Sequence, residues 1–202
     1  MTGIKFCGMT RPCDLEAANR LKPDYIGFVF AEKSRRFIPP DRAAELKRML
    51  SDDILAVGVF VDAPLSTVAE LLNQGVIDIA QLHGHEDETW LRHLRSLTDR
   101  PVWKAFRITN PEDLLRAEVS GADRILLDAG AGDGAVFDWS LLDGIHRPYI
   151  LAGGLNPENV TQAIRTLHPQ AVDVSSGIET GGFKDPEKMA AFVKAVREEE
   201  TV

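Results

Sequence analysis

Several short stretches of the chain join a reactive side chain to an apolar, strand-like run. Lys5-Phe6-Cys7-Gly8 carries a thiol, and Arg124-Ile125-Leu126-Leu127-Asp128 ends in a carboxylate. Gln81 and His83 flank Leu82, and Ser34-Arg35-Arg36-Phe37 sets two guanidiniums side by side. Gly153-Gly154 and Ser175-Ser176-Gly177 are short turns rich in glycine and hydroxyl groups. A thiol and a carboxylate differ in proton affinity, so together they can act as an acid–base pair on one substrate. An isolated thiol ionises near pH ~8.5, so a basic Cys7 needs positive neighbours. Adjacent arginines can fork onto a carboxylate. Glycine lets the backbone come close to a ligand, and a helix N-terminus behind it offers free N–H groups to a phosphate.

Plain structural readings stand beside these. Free cysteine is among the most buried residue types, so Cys7 can be an inert core thiol. Asp128 can cap the turn that follows it. Gln81 and His83 admit two readings, substrate contact or structural support. Cys13, on the first helix, reads as packed, and Trp90, Trp103 and Trp139 read as packing residues. Arg35 reads as solvated or as a support for Arg36.

The elements that must position these groups follow from the hydrophobic pattern. Strand candidates are Ile4–Cys7, Tyr25–Phe30, Leu55–Val61, Ile77–Leu82, Val102–Phe106, Arg124–Asp128, Tyr149–Ala152 and Ala171–Val174. Helix-periodic segments lie between them, among them Arg42–Leu50, Leu65–Asn73, Glu88–Leu97, Val160–Leu167 and Pro186–Glu199. Asn110-Pro111, Asn156-Pro157 and Asp185-Pro186 read as helix starts with a capping side chain and proline in the first turn, and Thr10 reads as the cap of the first helix. Strict strand–helix alternation implies parallel strands with right-handed crossovers. Eight such units predict an α/β fold, a single-domain (β/α)₈ TIM barrel over residues 1–202. Such barrels typically run to roughly 250 residues, so some loops and helices here must be minimal.

A barrel of this kind builds its active site at the carboxyl ends of the strands. Side chains alternate along a strand, so Lys5 and Cys7 share the inner face while Ile4 and Phe6 face the helices. The same parity turns Asp128, Gln81 and His83 inward. Lys5 is expected to pair with Asp173 on the neighbouring last strand. The loops after strands 7 and 8, with Gly153, Gly154, Ser175, Ser176 and Gly177, are where a barrel usually cradles phosphate. The segment from Gly130 to Gly134 reads as a mobile loop able to close over the site.

The net charge of −8 argues against nucleic acid or an anionic membrane as partner. An anionic substrate must then be held by local cations and backbone N–H groups. No stretch approaches the roughly 18 apolar residues of a membrane helix. The first residues lack a signal pattern, which makes the cytoplasm the default compartment. Cys7 and Cys13 match no common zinc spacing, so no metal is expected. A monomer and a homodimer would share this pattern. The acidic run Glu198 to Glu200 reads as a frayed helix end.

Lys5-Phe6-Cys7-Gly8-Met9-Thr10, Ser34-Arg35-Arg36-Phe37, Gln81-Leu82-His83-Gly84, Leu126-Leu127-Asp128, Ala152-Gly153-Gly154-Leu155 and Val174-Ser175-Ser176-Gly177-Ile178-Glu179 occur in order at strand ends. As a set they resemble the phosphoribosylanthranilate isomerases. The resemblance implies a cofactor-free Amadori rearrangement in tryptophan biosynthesis, acting on a small phosphorylated substrate. By it Cys7 is the general base, Asp128 the general acid, and Arg36 the group that binds the anthranilate carboxylate. The loop Ala129-Gly130-Ala131-Gly132-Asp133-Gly134 departs from the serine- and glycine-rich loop of the family, and Asp133 adds a negative charge near an anionic substrate. Two other phosphate-handling barrels fit less well. An indole-glycerol-phosphate synthase would want an essential lysine at a strand end, and a ribulose-phosphate epimerase would want paired aspartates. A barrel that only binds a sugar phosphate would not require an acid–base pair.

Overall fold

Strand-like runs of this chain are apolar at most residues facing a helix, Lys104 on the fifth run being a buried exception, and the buried faces bring the runs together as a ring. The computed structural model describes residues 1–128 and 139–199. Its strands β1 (Gly3–Cys7), β2 (Tyr25–Val29), β3 (Leu55–Phe60), β4 (Ile79–Leu82), β5 (Val102–Arg107), β6 (Arg124–Asp128), β7 (Tyr149–Ala152) and β8 (Ala171–Val174) form a closed parallel barrel in sequence order. β8 returns to pair with β1, with Lys5 opposite Asp173. Helices α1 (Pro12–Leu21), α2 (Pro40–Lys47), α3 (Leu65–Asn73), α4 (Glu88–Arg95), α5 (Pro111–Glu118), α6 (Val160–Leu167) and α7 (Pro186–Glu199) surround it. This is the (β/α)₈ barrel expected from the alternation. A short hairpin, β9 (Glu179–Thr180) with β10 (Phe183–Lys184), follows β8. Among the described residues no helix is long and apolar enough to cross a membrane.

The core has two layers. Ile4, Phe6, Ile26, Phe28, Ala80, Leu82, Ile125 and Leu127 pack outward under the helices, as strand parity requires. Inside the barrel lie Val57, Ile79, Trp103, Leu126 and Ile150. Trp103, 1% exposed, fills the interior with the edge of Tyr25 against its ring, centroids 5.0 Å apart. Trp90 and Trp139 pack against the outer layer. Above the inner layer Val29 and Val59 contact Cys7 and floor the open end. Lys5 Nζ donates to Asp173 Oδ1 at 2.9 Å inside the barrel, the pair expected from the sequence.

Local details depart from the expectations where a stronger group intervenes. Thr10 does not cap α1. Arg11 takes the cap position and Thr10 stands one residue outside it, where the Asp14 carboxylate accepts the backbone N–H groups of Thr10 (3.0 Å) and Arg11 (2.9 Å) and a negative charge in the first turn suits the helix dipole. Asn110 does cap α5, accepting from Glu112 and Asp113. Asp185 likewise accepts from Glu187 at 2.9 Å. Asn156 instead caps a turn ahead of α6, accepting from the N–H groups of Glu158 and Asn159, and the helix itself starts at Val160. Cys13 is exposed rather than packed, since the buried face of α1 carries Leu15, Ala17 and Ala18. Between β6 and β7 the described residues hold a 3₁₀ turn, Trp139–Leu142. β4 begins at Ile79, two residues later than the apolar run, because Asp78 turns to accept the Ala56 N–H and to pair with Lys47. The loop Ala129–Gly134 and Glu200 lie outside the described residues.

Candidate active site

Strand ends meet at a cavity of about 380 Å³ at the carboxyl end of the barrel. Cys7, Arg36, Gln81, His83, Asp128, Gly153, Gly154, Ser175 and Ser176 all line it. A larger hollow, about 770 Å³, lies outside the barrel between the loops after β2 and β3. Phe30, Phe37, Phe60 and Leu71 line that hollow, and none of the candidate acid–base groups does.

Cys7 reaches the cavity because β2 gives way beside it. A Cβ on Gly27 would come within 2.9 Å of Cys7 Sγ. Ser175 Oγ donates to the Cys7 carbonyl at 3.0 Å, tying the β8 loop to the end of β1. Gly8 follows with φ +84°, and a Cβ there would sit 2.4 Å from Arg36 Cδ. Only glycine both adopts that turn and lets the Arg36 stem cross it. Burial pushes the Cys7 thiol above its ordinary pKa, and Lys5 is the strongest influence opposing that rise. Burial also acts most strongly on Lys5 and would push its ammonium down. Asp173 and then Cys7 more than offset this, and Lys5 stays charged.

Asp128 ends β6 across the ring from Cys7. His83 Nε2 lies 3.4 Å from Asp128 Oδ2. His83 is held by its own loop. Glu86 accepts the N–H groups of Gly84 (2.9 Å) and Asp62 (2.8 Å), while Lys104 Nζ donates to the Gly84 carbonyl and to Glu86. Gln81 is 1% exposed, and its Oε1 has no hydrogen-bond partner among the described residues. A buried, unsatisfied carbonyl costs about 1–3 kcal/mol, so Gln81 Oε1 is an acceptor with capacity to spare where the side chain lines the cavity.

Beyond β7, Gly153 (φ +98°) and Gly154 (φ +65°) both occupy the left-handed region. Beyond β8, Ser175 and Ser176 face the cavity, and Gly177 does not. Gly177 packs the two loops together instead. A Cβ on it would lie 1.9 Å from the Leu155 carbonyl oxygen.

The loop after β2 brings Arg36 to the cavity rim, where the structure adds two residues that sequence reasoning missed. Glu179 accepts Arg36 Nε at 2.6 Å and Arg36 Nη2 at 2.9 Å. It also accepts Arg35 Nη2 at 2.9 Å and Lys184 Nζ at 2.6 Å. Arg35 therefore supports the same cluster as Arg36. Burial would raise the Glu179 pKa, but Arg36 and Lys184 outweigh it and hold the carboxyl below its usual range. Glu179 closes the Val174–Glu179 motif, so a signal for it was present. Lys184 had none. Among the described residues no three His, Cys, Asp or Glu side chains are gathered as metal ligands would be.

A family model described as N-(5'phosphoribosyl)anthranilate (PRA) isomerase matches residues 4–195. The chain belongs to this family. A phosphoribosylanthranilate isomerase of a Thermoanaerobacter species is 42% identical over 204 residues, with 98% of each chain covered. Among solved structures, the isomerase from Thermotoga maritima superposes with a TM-score of 0.88 at 34% identity, covering 98% of this chain and 100% of that one. A phosphoribosylanthranilate isomerase in complex with reduced 1-(o-carboxyphenylamino)-1-deoxyribulose 5-phosphate superposes with a TM-score of 0.86 at 35% identity, with 98% and 100% covered.

Proposed function

We propose that this chain converts N-(5-phosphoribosyl)anthranilate into 1-(2-carboxyphenylamino)-1-deoxyribulose 5-phosphate, an Amadori rearrangement of tryptophan biosynthesis, in the cytoplasm and without a cofactor. The observation that carries the reading is one cavity lined by a thiol from β1 and a carboxylate from β6, beside two glycine-rich loops. Asp128 protonates the furanose ring oxygen, the C1–O bond breaks, and the anthranilate nitrogen lone pair forms an iminium. That cation acidifies C2–H. Cys7 thiolate takes the C2 proton, the electrons close a C1=C2 enolamine, and tautomerisation returns a proton to C1 to leave the C2 ketone. Two groups on different sides of one sugar are what this sequence of transfers requires.

Burial pushes Cys7 toward the neutral thiol. The iminium, formed against it inside a low-dielectric cavity, supplies the positive neighbour that favours thiolate, and the thiol proton leaves to solvent at the cavity mouth before the C2 proton is taken. Proton abstraction is therefore coupled to ring opening. Gly153, Gly154, Ser175 and Ser176 cradle the phosphate, and Gly177 keeps their two loops in register. Arg36 receives the anthranilate carboxylate. Gln81, with its unsatisfied Oε1, accepts a sugar hydroxyl, and His83 steadies the Asp128 carboxyl.

The test follows the loss of anthranilate-type fluorescence when the protein meets fresh phosphoribosylanthranilate. The parent turns over rapidly. Asp128→Asn and Cys7→Ala each lose about 10²–10⁴-fold in kcat, the range of a single acid–base contribution. Near-normal turnover by either variant removes that residue from the mechanism. No turnover by the parent, with phosphate analogues still bound, overturns the assignment.

A further inference from the structure

The Arg36–Glu179 contact has a directionality that a simple ion pair lacks. A guanidinium presents two bidentate edges, the side edge of Nε with one Nη and the end edge of both Nη groups. Glu179 occupies the side edge, through Arg36 Nε at 2.6 Å and Nη2 at 2.9 Å. Among the described residues no hydrogen bond is made at the end edge, Nη1 with the outer Nη2 hydrogen, and the side chain lines the cavity. The Glu179 side chain is itself only 5% exposed and is shared by Arg35 and Lys184. Three cations on one carboxylate leave the cluster positive, so it attracts an anion although the whole chain carries −8. The hairpin fixes this arrangement, because β10 sets Lys184 directly opposite Glu179 on β9. Lys184 Nζ also donates to the Ser175 carbonyl at 3.0 Å, which anchors the hairpin to the β8 loop.

We propose that Glu179 is a positioning residue that sets the end edge of Arg36 toward the substrate's carboxylate, and so determines preference for a carboxylated aromatic amine. The inference rests on the reading of Arg36 given above. A long flexible side chain loses conformational freedom on binding, and one already clamped at its side edge loses less. Glu179 is not a competing base. Four charge-assisted bonds hold it ionised and saturated.

Steady-state kinetics on Glu179→Gln, Glu179→Asp, Arg36→Met and the double variant Glu179→Gln/Arg36→Met test this. Glu179→Gln raises KM about tenfold, the size of a lost charge-assisted bond, with kcat changed by less than about threefold. Glu179→Asp keeps the charge but shortens its reach, and it raises KM in the same direction should the glutamine variant fold poorly. The double variant matches Arg36→Met alone, because Glu179 acts through Arg36. Competitive inhibition by inorganic phosphate stays at the parent value in both Glu179 variants. A raised KM for Arg36→Met with an unchanged KM for the Glu179 variants overturns the inference and leaves the carboxylate reading intact. Additive effects in the double variant, or a parallel loss of phosphate inhibition, also overturn it. An unchanged KM for Arg36→Met removes the carboxylate reading and this inference with it.

Discussion

Cys7 shows how burial sets the terms for a reactive group. The thiol sits at the end of β1 against Val29 and Val59, only 9% exposed, and burial pushes its pKa up against the pull of Lys5. Alkylation proceeds through the thiolate, whose fraction falls tenfold for each pH unit below the pKa. A raised pKa therefore means slow reaction at neutrality and a rate that climbs only above the ordinary thiol range near pH ~8.5. Peptide mapping after iodoacetamide treatment across pH 6 to 10 distinguishes Cys7 from the exposed Cys13. The expected profile for Cys7 rises late. A profile with its midpoint well below an ordinary thiol would mean that Lys5 outweighs burial and that no substrate cation is needed.

Between elements, the loops after β7 and β8 act as one unit because Gly177 leaves no room between them. A methyl group there would lie 1.9 Å from the Leu155 carbonyl oxygen and 2.9 Å from Asn156 Cα. Both obstacles are backbone, so the loops must part rather than repack. Gly177→Ala is expected to cost about 1–3 kcal/mol of stability, typical of overpacking, and to weaken inhibition by inorganic phosphate more than it lowers kcat. Thermal unfolding beside phosphate inhibition checks this. Unchanged inhibition with a lowered melting temperature would separate Gly177 from the phosphate loops. The β4 loop follows the same logic with polar groups, since Glu86 and Lys104 fix the backbone that carries His83.

At the scale of the whole molecule, the barrel closes on a charge pair within its own interior. β8 meets β1 with Lys5 opposite Asp173, and the ammonium is wholly buried. Removing one partner of such a pair strands the other charge, at about 3–5 kcal/mol. Lys5→Met is expected to destabilise the fold by that amount at pH 7. Lys5 itself has a raised folded pKa, so its own contribution is fully present below the unfolded lysine value near ~10.4 and is lost at more alkaline pH. Denaturant titrations of parent and Lys5→Met at pH 7, 9 and 11 read this, with a constant difference between pH 7 and 9 and a smaller one at pH 11. A variant as stable as the parent at pH 7 would mean that the pair does not hold the β1–β8 seam.

What the sequence determined by itself was everything carried by local periodicity. Alternation along each strand settled which faces meet the helices, and so turned Lys5, Cys7, Gln81, His83 and Asp128 inward. Eight repeats of strand and helix specified the barrel, because parallel strands with one hand of crossover have few other ways to bury both faces. The capping of α5 by Asn110 was legible for the same reason, being a contact between residues two and three positions apart. Tertiary structure decided what depends on closure of the ring. Glu179 stands 143 positions from Arg36, and no local pattern ties the β2 loop to a hairpin beyond β8. Lys184 is an ordinary lysine in the sequence and a buried cation only because β10 folds back on β9. Helix ends fell between these limits. Thr10 and Asn156 each have capping chemistry, but where a helix begins depends on which acceptor the packed turn presents first, and at α1 the Asp14 carboxylate does so.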